Sequence, residues 1–202
     1  MSGSLSRAQL ARRAKRLGVA SPLPSLILLT DDERLHDPLA AASALPHGSA
    51  VIVRARDMRK RHVLAASLHN IARKRKLFLL IADDPELASE MNADGIHLPE
   101  SRAREAAHWR ATHPQWLITS AAHSAHAVLR AKASGADAVL LSPVFATQSH
   151  PHRAPLMPMR LRMIAREIAI PIYALGGIDA HNVARLEGAA LAGIAAIGAL
   201  QT

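Results

Sequence analysis

The sequence contains no cysteine among its 202 residues, and aromatic side chains make up only 2% of it. The lack of cysteine excludes disulfide bonds and thiolate metal sites. No apolar run reaches the length of a membrane span and the N-terminus shows no apolar signal segment, so we expect a cytoplasmic protein without a membrane partner. The core must be built from small aliphatic side chains, which is typical of helices packed closely on a sheet.

Positive charges exceed negative charges by nine at pH 7. Much of the excess lies in residues 7–16 and 59–76, where apolar residues recur at helical spacing. We expect two amphipathic helices with solvated basic faces, the first of them an extra helix at the N-terminus. Nucleic-acid binding usually adds exposed aromatics or a recognition motif, and neither is visible. We therefore expect small phosphorylated molecules, and not nucleic acid, as partners.

Short apolar runs recur along the chain, and most of the stretches between them have a helical period. Near-continuous apolar strands separated by helices indicate a parallel sheet that is covered on both faces. Eight repeats favour a closed barrel, and 202 residues suit one domain. We predict a single (β/α)8 TIM barrel over residues 1–202, with strands at 26–29, 51–53, 77–81, 95–98, 116–120, 138–141, 172–175 and 193–197.

Two glycine-containing turns follow the last two predicted strands. The run PIYALGGI ends in Gly176 and Gly177, and Asp179 then begins a pattern at helical spacing. The second turn contains Ile197 and Gly198. Glycines let backbone N–H groups approach a ligand closely, and a helix N-terminus attracts anions, so phosphate is the expected ligand. The alternative is that the paired glycines only form a tight connection.

Charged residues follow strands two and three. Arg54 and Arg56 are two residues apart on an extended backbone, which places them on the same side, and their guanidinium groups suit phosphate. The alternative is that one of them is merely solvated. Asp83 is a candidate ligand of Mg²⁺, whereas Asp84 precedes Pro85 and is expected to cap a helix.

Polar residues also follow strands five and six. His123 is a candidate for proton transfer or phosphate binding, or else simply lies at a helix start. Thr147, Ser149 and His150 form a polar segment that suits phosphate oxygens, with a plain turn as the alternative.

The sequence resembles the thiamine phosphate synthase and thiazole tautomerase superfamily along nearly its whole length. The resemblance rests on LILLTDDER, VIVRAR, ADGIHLPES, ITSAAHS, GADAVLLSPVFATQSH, YALGGIDAHNV and the terminal GIAAIG, in that order. It implies a (β/α)8 barrel, often a homodimer, that binds thiazole phosphate at Gly176, Gly177, Ile197 and Gly198. The family's synthases join hydroxymethylpyrimidine diphosphate to thiazole phosphate and release diphosphate.

The same resemblance implies roles for the remaining candidates. Arg54 and Arg56 match the basic pair that binds diphosphate, and Asp83 matches a Mg²⁺ ligand. Arg102 stands where the family has a second Mg²⁺ carboxylate, and we expect it to bind substrate phosphate with a fixed positive charge in place of the metal. His150 stands where the family has a lysine. The resemblance therefore indicates a thiamine phosphate synthase with a weakened Mg²⁺ site.

Two alternatives are a thiazole tautomerase and a non-catalytic barrel that binds a phosphate ligand or a partner. The tautomerases have an acid–base histidine after strand six, where this chain has Pro143, and that leaves His123 and His150 as candidates.

Overall fold

The computed structural model describes residues 7–17, 22–147 and 154–201, with only the backbone at residues 7–9. Eight parallel strands form a closed barrel in sequence order, and the eighth pairs with the first. The predicted (β/α)8 barrel is confirmed, and each predicted strand lies within two residues of its observed bounds. The strands are β1 (Leu26–Leu29), β2 (Ala50–Val53), β3 (Phe78–Ala82), β4 (Gly95–Leu98), β5 (Leu117–Ala122), β6 (Ala138–Leu141), β7 (Ile172–Leu175) and β8 (Gly193–Ala196).

Helices cover the outside of this barrel. They are α1 (Arg7–Arg16), α2 (Pro38–Ser43), α3 (Met58–Arg75), α4 (Pro85–Glu90), α5 (Ala106–Thr112), α6 (Ala125–Ala133) and α7 (Met157–Glu167). Three 3₁₀ helices span Glu100–Glu105, Val183–Leu186 and Gly198–Leu200. Within the described ranges, no helix combines the length and apolarity that a membrane crossing requires.

Two aspartates in equivalent repeats fix the starts of neighbouring strands. Asp94 precedes β4, and its Oδ2 accepts a hydrogen bond from the Leu79 amide of β3 over 2.7 Å. Asp137 precedes β6, and its Oδ2 accepts from the Ile118 amide of β5, also over 2.7 Å. The side chains thereby satisfy amides at the barrel's lower rim, and the strands above them are almost entirely buried and apolar.

Helix α1 packs against both β1 and β8, where the barrel closes. Its buried face carries Leu10 and Ala14, and Leu17 directly after the helix is buried as well. The basic residues Arg12, Lys15 and Arg16 are exposed. The expected N-terminal amphipathic helix is therefore present, and it shields the junction between the first and last strands.

The chain after β7 differs from the sequence expectation. No helix begins directly after Gly177. Instead, Oδ1 of Asp179 accepts from the amides of His181 and Asn182 over 2.8 and 2.9 Å, and the 3₁₀ helix starts only at Val183. The Asn182 side chain also donates to the Gly177 carbonyl over 2.7 Å. These local bonds close a turn in place of the first turn of a helix.

Candidate active site

A cleft of about 580 Å³ opens at the carboxyl ends of the strands. This is the end at which barrels of this type hold their functional groups. The loops after β1, β2, β6, β7 and β8 supply its walls. It brings together six residues singled out from the sequence: Arg54, Thr147, Gly176, Gly177, Ile197 and Gly198.

The turn after β7 requires both of its glycines. Gly176 and Gly177 have φ angles of +95° and +65°, which L-residues with a side chain rarely adopt. A Cβ at Gly177 would lie 2.4 Å from the Ala146 carbonyl oxygen, and one at Gly176 would lie 2.9 Å from Cα of Pro143. The turn is therefore pressed against the loop after β6, which forms the adjacent wall of the cleft.

The carbonyls and amides of this turn differ in their bonding. The Gly176 carbonyl accepts from the Phe145 amide over 3.0 Å, and the Gly177 carbonyl accepts from Asn182. Within the described part of the chain, the amides of Gly176, Gly177 and Gly198 have no hydrogen-bond acceptor. A Cβ built on Gly198 meets no atom within 4 Å. The cleft thus contains open backbone donors, an arrangement that suits an anion.

Arg54 belongs to an ionic cluster at one end of the cleft. Its Nη2 donates to Oδ2 of Asp31 over 3.1 Å, and Arg34 binds the same carboxylate through Nε at 3.1 Å and Nη2 at 2.6 Å. Burial alone would raise the pKa of Asp31, but the hydrogen bond and charge of Arg34, with Arg54 beyond it, hold that pKa below its usual value. The carboxylate is therefore ionised and orients two guanidinium groups along the cleft wall.

Sequence reasoning did not identify Asp31 and Arg34 as site residues. Both lie in the segment TDDER directly after β1, so the available signal was a group of charges at a strand end. Arg56, by contrast, lies outside the cleft. Its Nη1 pairs with Oε1 of Glu33 over 2.9 Å, and its side chain is 79% exposed. Arg54 and Arg56 thus pair with different carboxylates, although both line a second, small pocket formed by the loops after β1 and β2.

His97 lies inside the barrel and interacts electrostatically with Arg54. Its Nδ1 is 2.9 Å from Oγ1 of Thr119 on the neighbouring strand. Burial, followed by the charge of Arg54, lowers the pKa of His97 to about 4. The imidazole is therefore neutral at pH 7, as expected for a histidine buried beside a cation.

The expected Mg²⁺ ligand Asp83 is paired with an arginine. Its Oδ1 accepts from Nη1 of Arg102 over 2.5 Å. Asp84 caps α4 by accepting from the Leu87 amide over 3.1 Å, as predicted, and it also pairs with Arg61. Among the described residues, no three His, Cys, Asp or Glu side chains come together as a metal site requires. The residues present do not fit a magnesium ion.

His123 stands beside the cleft without lining it. Its Nδ1 is 2.8 Å from the Ser142 carbonyl oxygen, and Ser142 itself lines the cleft. The structure locates only one of the other polar candidates after β6. Thr147 lines the cleft, whereas Ser149 and His150 lie outside the described residues.

Comparison with known proteins agrees with the barrel and its motifs. A family model described as "Thiamine monophosphate synthase" matches residues 26–200, a range that takes in all eight strands. The chain belongs to this family. It is 34% identical over 189 residues to a thiamine-phosphate synthase of Methanoculleus marisnigri, with 87% of this chain and 86% of that one covered.

Further relatives of the thiamine monophosphate synthase family span similar lengths. A thiamine-phosphate synthase of Methylobacillus flagellatus is 33% identical over 187 residues, with 90% of this chain and 89% of that protein covered. The solved thiamine phosphate pyrophosphorylase from Pyrococcus furiosus has a TM-score of 0.70 at 23% identity and covers 87% of this chain and 86% of its own. The solved structure shows a shared fold.

Proposed function

We propose that this chain is a thiamine-phosphate synthase that joins hydroxymethylpyrimidine diphosphate to thiazole phosphate. The observation that carries the proposal is the shared cleft, in which open backbone amides and two arginines face the same space. Family membership supports the same reaction. The substrates carry phosphate at opposite ends, and the cleft offers anion-binding groups of two different kinds.

The glycine turns are proposed to hold the thiazole phosphate. The amides of Gly176, Gly177 and Gly198 are backbone donors without an acceptor among the described residues, and Ile197 and Thr147 line the same cleft. Backbone donors bind phosphate without the entropic cost of ordering side chains. The thiazole ring would then extend from the bound phosphate toward the second substrate.

Arg54 is proposed to bind the diphosphate, with Arg34 beside it. In the reaction, the bond between the pyrimidine methylene carbon and the diphosphate oxygen breaks, and the electron pair leaves on the diphosphate. The thiazole ring nitrogen then forms the new bond to that carbon. Negative charge grows on the leaving group, so positioned guanidinium groups stabilise the transition state more than the substrate.

A non-catalytic barrel that binds a phosphate ligand is the second candidate. The pairing of Asp83 with Arg102 favours it, because this pairing removes a carboxylate that the synthases are expected to use. Of the two histidine candidates for the tautomerase alternative, His123 lies beside the cleft and His150 lies outside the described residues. A homodimeric state, a cytoplasmic location and the lack of nucleic-acid binding stay predictions.

Purified protein with both substrates tests the proposal. Formation of thiamine phosphate and diphosphate, measured by chromatography, is the expected result, and calorimetry measures binding of thiazole phosphate alone. Bound thiazole phosphate without turnover would favour the non-catalytic barrel. Absence of both thiazole phosphate binding and turnover would contradict both candidate functions.

A further inference from the structure

Arg102 is held from both sides at the carboxyl ends of β3 and β4. Its Nε and Nη2 donate to the two carboxylate oxygens of Glu105, each over 2.7 Å. Its Nη1 donates to Oδ1 of Asp83 over 2.5 Å and to the Asp83 carbonyl over 3.4 Å. Most of the five N–H donors of the guanidinium therefore already have acceptors. A planar group bound at both edges is fixed in position.

The charges of this trio reinforce the arrangement. The hydrogen bonds that Arg102 donates to Glu105 and to Asp83 raise the pKa of Arg102 above its already high value. The hydrogen bond from Arg102 in turn lowers the pKa of Glu105. Arg102 and Glu105 are thus charged at neutral pH, and the guanidinium lies between the carboxyl groups of Glu105 and Asp83.

A divalent cation at Asp83 would meet the positive charge of Arg102, which already holds Oδ1 of that carboxylate. Mg²⁺ demands near-octahedral oxygen ligands at short distances and gives up its water reluctantly. Arg102 belongs to the same folded chain and is held beside Asp83 by Glu105, so its effective concentration there far exceeds that of a free ion. The two residues that flank Asp83 in the chain offer no further ligand, because the Ala82 side chain has no oxygen and Asp84 is committed to its helix cap and to Arg61.

We propose that Arg102 takes the place of a divalent cation at Asp83, so that this chain excludes Mg²⁺ there and binds anions in its cleft without metal. The exclusion of the metal stands on the geometry of Asp83, Arg102 and Glu105 alone. Only the metal-free binding of anions in the cleft rests on the proposed function.

Titration of the ligand-free protein with Mn²⁺, followed by electron paramagnetic resonance, tests the exclusion. Arg102→Asp supplies a carboxylate and removes the cation, so it should bind Mn²⁺ at least ~10-fold more tightly than wild type. Arg104→Asp is the matched control, since Arg104 is an exposed residue of the same 3₁₀ helix and should leave Mn²⁺ binding unchanged. Wild-type protein that binds Mn²⁺ as tightly as Arg102→Asp would overturn the proposal.

A second measurement needs only wild-type protein and inorganic diphosphate. Calorimetry should give the same affinity, within about 3-fold, in Mg²⁺ and in a chelator, because arginines meet the charge in both cases. A gain of ~10-fold or more in Mg²⁺ would overturn metal-free binding. Absence of diphosphate binding in both buffers would contradict the proposed function, and the manganese titration would then decide the exclusion.

Discussion

Oδ2 of Asp31, at the end of β1, accepts a hydrogen bond from Nη2 of Arg54, at the end of β2, over 3.1 Å. The carboxylate side chain is 8% exposed and the arginine side chain 47% exposed, so a buried anion fixes a half-exposed cation. Arg34 binds the same carboxylate. The orientation of both arginines toward the cleft therefore depends on one charge.

Asp31→Asn should lower stability by about 1–3 kcal/mol at neutral pH, the cost of weakening hydrogen bonds between charged groups. The pKa of Asp31 is held below its ordinary value of 3.8. Its contribution is thus fully present above pH 3.8 and is lost as the pH falls through the lower, folded-state pKa. Urea unfolding from neutral to strongly acidic pH measures the free energy of unfolding. Asp31→Asn should lack the part of its decrease in acid that protonation of Asp31 causes. If the free energy of unfolding fell equally with pH in wild type and in Asp31→Asn, the ionised Asp31 carboxylate would not contribute to stability.

Arg54→Ala should reduce kcat/KM by roughly 10- to 150-fold, which corresponds to about 1.5–3 kcal/mol for a charged hydrogen bond. Arg56→Ala serves as the control, because Arg56 is exposed and outside the cleft. Its loss should change kcat/KM by less than about 3-fold, since exposed ion pairs contribute little. A larger effect from Arg56 than from Arg54 would place the diphosphate outside the cleft.

Gly198→Ala and Gly177→Ala should separate binding from stability. A methyl group at Gly198 meets no atom, so stability should change by less than about 0.5 kcal/mol while phosphate affinity falls by roughly 10-fold. Gly177 has φ +65° and a Cβ there would lie 2.4 Å from the Ala146 oxygen, so stability should fall by about 1–3 kcal/mol. Thermal unfolding and calorimetry with phosphate give both quantities. Unchanged phosphate affinity in Gly198→Ala would move the anion site elsewhere.

His97→Gln should flatten the loss of stability in weak acid. The pKa of His97 falls from 6.5 to about 4 on burial, so the folded state resists protonation that the unfolded chain accepts. The contribution of neutral His97 to the free energy of unfolding is fully present above pH 6.5 and is lost progressively as the pH falls toward 4. At about 1.4 kcal/mol per pKa unit, the loss amounts to about 3 kcal/mol. Denaturant unfolding at pH 7, 6, 5 and 4 gives the free energy of unfolding of wild type and of His97→Gln. The same dependence on pH in both proteins would contradict the prediction.

The barrel was predictable because each strand is a short, mostly apolar run, a pattern that needs no partner to be recognised. The glycines after β7 and β8 were predictable for a similar reason, since strand ends of a barrel meet at one face. Pairings across the fold were not. Asp83 and Arg102 are 19 residues apart in the chain, and only the closed barrel brings them together. Similarly, the side chains of Asp179 and Asn182 compete locally with helix formation, which the apolar spacing after Gly177 does not reveal.

The packing of α1 against both β1 and β8 has a consequence for synthesis on the ribosome. The helix emerges before any strand, but one of its two partner strands emerges after every other strand of the barrel. Leu10 and Ala14 therefore remain without their full set of contacts until β8 has been made and the ring of strands has closed. Protection of these two side chains in a nascent chain would mark the moment at which the barrel is complete.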